Sequence, residues 1–136
     1  MAVMPAEVQE MFKNVKNVAF STATADAQPN TCIVAMKAVI DDETVYLSDQ
    51  FFNKTLANLR ENPKVAIAFW EGNEAYVLHG EARYVNEGDE FLAQKEWVDA
   101  AFQKMGLPIQ AKGGCFVSVE AVFTSSPGPT AGDKIA

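Results

Sequence analysis

Lys54 and Thr55 stand where a predicted helix follows directly on a predicted strand, within Phe51-Phe52-Asn53-Lys54-Thr55-Leu56-Ala57-Asn58-Leu59-Arg60-Glu61-Asn62-Pro63. Phosphate binds well at such a junction. The first helical turn leaves backbone N–H groups unpaired and carries the positive end of the helix dipole, to which a lysine adds a point charge and a hydroxyl adds a donor. Leu56 and Leu59 give the helix an inward face, Asn53 is placed to cap it, and Pro63 stops it after Asn62. Asn58 lies one turn beyond Lys54, where it orients the lysine, faces the phosphate or is a surface amide. A Lys-Thr pair by itself also fits an ordinary capped helix with a solvated lysine, so the surrounding elements decide between the two readings.

Other chemistry-bearing residues point less sharply. His79 is the only histidine, in Tyr76-Val77-Leu78-His79-Gly80, where alternation puts it with Val77 and opposite Tyr76 and Leu78; it is a structural strand residue or takes part in redox chemistry. Trp70 ends a strand before Glu71-Gly72 and is either a core ring or an interface ring. Cys32 and Cys115 sit in apolar runs with no second Cys or His at metal spacing, so free thiols in a reducing compartment are expected and no metal site is; a disulfide between them is not signalled. Tyr84, Glu90 and Glu96 make no acid–base pair that spacing justifies, and no catalytic residue is assigned.

The elements that must position these groups are mostly short strands. Pro5 opens a helix with Val8, Met11, Phe12 and Val15 at helical spacing, expected to cap a barrel. Val18 to Thr24 and Asn30 to Ile40 read as a hairpin across Asp26-Ala27-Gln28-Pro29, and Thr44 to Ser48 as a third strand feeding the Lys-Thr helix. Val65 to Trp70 and Ala75 to Tyr84 pair across Glu71-Gly72-Asn73. A helix over Gly88 to Met105 ends at Gly106-Leu107-Pro108, before a last strand from Cys115 to Thr124. Six strands in meander order with helices between them predict a mainly β, closed or nearly closed antiparallel barrel.

The chain's 136 residues fit one domain over 1–136, large enough for a real core. Residues 125–136, beginning Ser125-Ser126-Pro127-Gly128-Pro129, read as a frayed tail or an arm onto another subunit. A net charge of -7 with only two arginines leaves no basic stripe for nucleic acid or an anionic membrane. No apolar run approaches the ~18 residues that span a bilayer, and Met1 to Gln9 lacks a basic start with an apolar core; a soluble, cytoplasmic protein is expected.

In that order of parts, Pro29-Asn30-Thr31-Cys32-Ile33-Val34-Ala35-Met36, Asp41-Asp42-Glu43-Thr44, Asn53-Lys54-Thr55 with Asn58-Leu59 and Asn62-Pro63, and Gly80-Glu81-Ala82 resemble the pyridoxamine 5'-phosphate oxidase-like split-barrel flavoproteins, above all the smaller FMN-binding proteins of that superfamily. The resemblance runs from the first helix through Thr124 and implies a homodimer of split β-barrels, with one FMN in each of two clefts between the subunits. It implies that Lys54 and Thr55 hold the FMN phosphate and that Ser48 and Asp49 line the ribityl chain and phosphate. It further implies that Ile33, Val34 and Ala35 run beside the flavin ring, with Trp70 where the partner subunit approaches it. Phe123-Thr124-Ser125-Ser126-Pro127 lacks the arginine and histidine cluster of the true oxidases, and Thr31 to Met36 replaces their arginine-rich strand, so a grip on a second, substrate phosphate is missing. What the resemblance then implies is an FMN protein moving electrons or hydride, of flavin-reductase type, with a nicotinamide donor or a redox protein as partner. Heme, which would need His79 as ligand, or deazaflavin in the same barrel is the first alternative, and a non-catalytic dimeric binding module the second.

Overall fold

Seven strands and three helices alternate along the chain, and the computed structural model describes all of residues 1–136. In order they are α1 (Ala6–Asn14), β1 (Val18–Ala23), β2 (Pro29–Val34), β3 (Lys37–Asp41), β4 (Thr44–Asp49), α2 (Lys54–Glu61), β5 (Lys64–Glu71), β6 (Glu74–Val85), α3 (Asp89–Lys104) and β7 (Gly113–Thr124). All strands join one antiparallel sheet in the order β2-β1-β5-β6-β7-β4-β3. The mainly β class is as expected. The six-strand meander is not, because the run from Asn30 to Ile40 divides at Ala35-Met36 into β2 and β3, and β4 pairs with the distant β7 on one side as well as with β3 on the other.

That division curls the sheet. β2 zips onto β1, from Val18 opposite Val34 to Ala23 opposite Pro29, while β3 pairs with β4 at the far edge of the strand order. Only Ala35 and Met36 join the two edges, and such a link spans no more than ~11 Å between its flanking Cα atoms. The first and last strands are therefore drawn together, as in a split barrel. The Ser48 N–H fixes the corner by donating to the Met36 carbonyl at 2.9 Å.

The inner face of the curled sheet carries Phe20, Ile67, Phe69, Leu78, Val117 and Val119, all fully buried. α1 packs Val8, Met11 and Phe12 onto this core, with Phe12 edge-on to Phe69 at 5.4 Å between ring centres, and Lys37 donates to the Val15 carbonyl just past the helix at 2.6 Å. Residues 125–136 do not fray. They turn back along β7, where Ile135 N–H donates to the Val122 carbonyl at 2.8 Å and Thr124 N–H to the Asp133 carbonyl at 3.0 Å, covering an edge that would otherwise be open. No helix is long and apolar enough to cross a membrane.

Candidate functional site

One cavity of about 530 Å3 opens between β2, the end of β4, the loop into α2 and the last turn of α3. Its first wall is every residue from Asn30 to Met36. Side chains of a strand alternate between faces, so an unbroken series on one wall means that the backbone edge itself is turned to the cavity. β2 has that edge free because it pairs only with β1. A row of unpaired N–H and C=O groups thus lies next to the apolar side chains of Ile33, Val34 and Met36.

The second wall is Gln50 to Thr55. Asn53 sits at the cap position of α2, with φ -132° and ψ -85°, without making a side-chain cap, contrary to the sequence expectation. The N–H groups of Lys54, Thr55 and Leu56 consequently have no acceptor in the chain, so the helix presents open donors beside the Lys54 ammonium. Ser48 lines the floor and accepts a hydrogen bond from Gln50 Nε2 at 2.6 Å. Phe102 and Met105 of α3 complete the cavity.

Ile33, Val34, Ala35, Ser48, Asn53, Lys54 and Thr55 all line this one cavity. Three other candidates lie elsewhere. Asp49 is fully buried behind the loop, where it accepts from the Phe52 N–H at 2.8 Å and the Tyr84 hydroxyl at 2.6 Å. Asn58 is buried and donates to Thr22 Oγ1 at 3.0 Å, pinning α2 to β1 instead of facing an anion. Trp70, 56% exposed, borders a separate hollow of about 360 Å3 that shares Ile33 with the main cavity, so it is no core ring. Phe51, Phe52, Phe102 and Met105 also line the cavity, beyond the residues that the sequence points to. The Phe51-Phe52 pair beside the Lys-Thr turn was a visible signal, whereas nothing in the α3 sequence says where its end docks.

Cys32 faces this cavity half-buried; burial, the largest effect, raises its thiol pKa, the Thr55 hydroxyl offsets part of that, and the Asp49 charge adds to it. Cys115 is buried and burial raises its pKa further. His79 lies outside the cavity. It is exposed in a separate groove with Lys64 and Glu120, its ring 4.6 Å from that of Phe123.

The pyridoxamine 5'-phosphate oxidase family model matches residues 4–113. A curated relative, the uncharacterized protein MJ0282 of Methanocaldococcus jannaschii, is 35% identical over 133 residues, covering 94% of this chain and 87% of its own. Among solved structures, HupZ of Group A Streptococcus superposes with a TM-score of 0.78 at 24% identity, over 95% of this chain and 99% of that one. An FMN-binding protein from Syntrophomonas wolfei gives 0.72 at 20% identity, over 89% and 88%. The heme storage protein HutZ from Vibrio cholerae gives 0.66 at 16%, over 90% and 95%. Likeness at these identities establishes a shared fold.

Proposed function

The chain belongs to the pyridoxamine 5'-phosphate oxidase family, and from that premise we propose that it binds FMN in the cavity between β2 and α2 and serves as an FMN-dependent oxidoreductase or electron-transfer protein. The observation that carries this reading is the pairing of two unlike walls in one cavity. A flavin has an apolar ring, a hydrogen-bonding pyrimidine edge and a dianionic phosphate. The free edge of β2 with Ile33 and Val34 suits the first two, and the open donors of Lys54, Thr55 and Leu56 with the Lys54 ammonium suit the third. FMN, when bound, supplies the hydride and single-electron chemistry; the chain's part is to hold the phosphate, orient the ring along β2 and shield it with Phe51, Phe102 and Met105.

The cavity is open on the side where Ile33 (64%), Phe51 (77%) and Met105 (55%) are exposed. A second copy of the chain covering these side chains would bury both them and the ring, which supports a homodimer. The test is purification without added cofactor. A yellow dimer that releases FMN on denaturation is the expected result, and a colourless protein that cannot be reconstituted with FMN would leave a non-catalytic module. A nicotinamide donor is the first electron source to assay.

Two expectations follow. Iodoacetamide should label Cys32 more slowly at pH 8 than it labels a free cysteine, because its raised pKa leaves less thiolate, and bound FMN should slow the labelling further. Peptide mass mapping reads this out, and equal rates with and without FMN would place the ligand away from β2. His79→Ala should leave FMN affinity unchanged and cost at most about 0.5–1.5 kcal/mol of stability through its ring contact with Phe123. Loss of a Soret band or of yellow colour in that variant would move the cofactor to the groove that holds His79.

A further inference from the structure

Phe52 is held from three directions. Asp49 Oδ1 accepts its N–H at 2.8 Å, Lys112 Nζ donates to its carbonyl at 3.2 Å, and its ring packs on Phe20 with centres 5.9 Å apart. Its neighbours Phe51 and Asn53 are exposed and face the cavity, as do Lys54 and Thr55 beyond them. The loop therefore pivots on one clamped residue. The clamp is itself braced: Tyr84 donates to Asp49 Oδ2 at 2.6 Å, the Lys112 N–H donates to the Asp49 carbonyl at 2.9 Å, and Lys112 Nζ lies 3.9 Å from Asp49 Oδ1.

We propose that Tyr84 and Lys112, acting through Asp49 and Phe52, are positioning residues that set the phosphate-binding loop, and that Lys112 also offsets the buried Asp49 charge behind that loop. The proposal rests on the FMN reading above. A fully buried carboxylate immediately behind an anion site repels the anion unless it is compensated, and the donors around Asp49 supply that compensation. Burial, followed by the hydrogen bond to Asp49, raises the Tyr84 pKa, so the hydroxyl stays a neutral donor at physiological pH. Neither Tyr84 nor Lys112 lines the cavity, so both act on the ligand at second hand.

A clamp on the phosphate loop alters selectivity and not only affinity, which separates it from a general structural role. The test compares FMN with riboflavin, which has the ring and ribityl chain but no phosphate, by fluorescence titration of Lys112→Met, Lys112→Arg and Tyr84→Phe. Lys112→Met should weaken FMN about threefold to tenfold while riboflavin changes by less than about twofold, and Lys112→Arg should restore FMN binding. Tyr84→Phe should act in the same direction. Should burial of an under-satisfied Asp49 prevent that variant from folding, the half-exposed Lys112 still decides the matter. Equal weakening of both flavins, or unchanged FMN binding, would overturn the clamp while leaving FMN binding intact. A wild-type protein that binds neither flavin would remove the FMN reading and the clamp together.

Discussion

With Lys54 replaced by alanine, FMN is expected to bind about 5- to 150-fold more weakly, the loss of a charge-assisted contact worth about 1–3 kcal/mol. The fold should be untouched. Lys54 is exposed and takes part in none of the chain's ion pairs, so its removal strips no partner and opens no cavity. Riboflavin should bind the variant as it binds the wild type, and the difference for FMN should shrink as salt screens the phosphate. Isothermal or fluorescence titration at two ionic strengths measures both. Unchanged FMN affinity would mean that the phosphate rests elsewhere and that Lys54 is a solvated lysine.

The site is anionic in its setting, which makes the local arrangement more telling than the overall charge. A chain of net charge -7 repels phosphate at long range. Binding must then come from short-range donors. In the proposed reading three backbone N–H groups left open by an uncapped helix, one lysine, and a buried carboxylate compensated from behind provide that on the scale of a few ångströms, within the distance at which screening is weak. On that reading the absence of an Asn53 cap leaves those donors to the phosphate, for which a capping side chain would compete.

Much of this was legible in the sequence, for physical reasons that also mark where it was not. Helix α2 and the cation at its start followed from local signals, its place after a strand and the stop at Pro63, although Asn53 makes no cap and the helix buries Thr55 and Asn58 while Leu56 and Leu59 are only partly buried. The break of the β2–β3 run at Ala35-Met36 carries no glycine, proline or turn residue, because the bend is imposed by pairing at opposite edges of the sheet and not by backbone preference. Asn58 illustrates the limit of helical spacing. Its position one turn from Lys54 is compatible with facing the anion, yet the twist of α2 against β1 turns it to Thr22. The roles of Tyr84 and Lys112 were illegible, since their contacts with residues 49–52 cross 35 and 60 positions of chain.

Gly80→Ala is expected to be among the most damaging single-methyl substitutions in the chain, costing about 2–4 kcal/mol. At His79 and Gly80 the β6–β7 ladder slips by one residue: His79 stands opposite Ala121 and Gly80 opposite Val119, leaving Glu120 as the bulged residue. Gly80 is buried, and a Cβ there would overlap the Ser118 carbonyl oxygen and come within 2.9 Å of Val117 Cγ1. Relaxation is blocked, because Ser118 is paired on both sides, with Thr44 of β4 and Glu81 of β6. Gly72→Ala is the matched control: Gly72 has a φ of 60° and nothing within 4 Å of an added Cβ, so it should cost only the ~1 kcal/mol of a left-handed conformation. Thermal unfolding should place Gly80→Ala roughly 6–12 °C below wild type and Gly72→Ala only about 3 °C below. If the two variants melt together, the bulge yields to a methyl group, and β7 is not the rigid spine that carries β4 and the loop into α2 at its end.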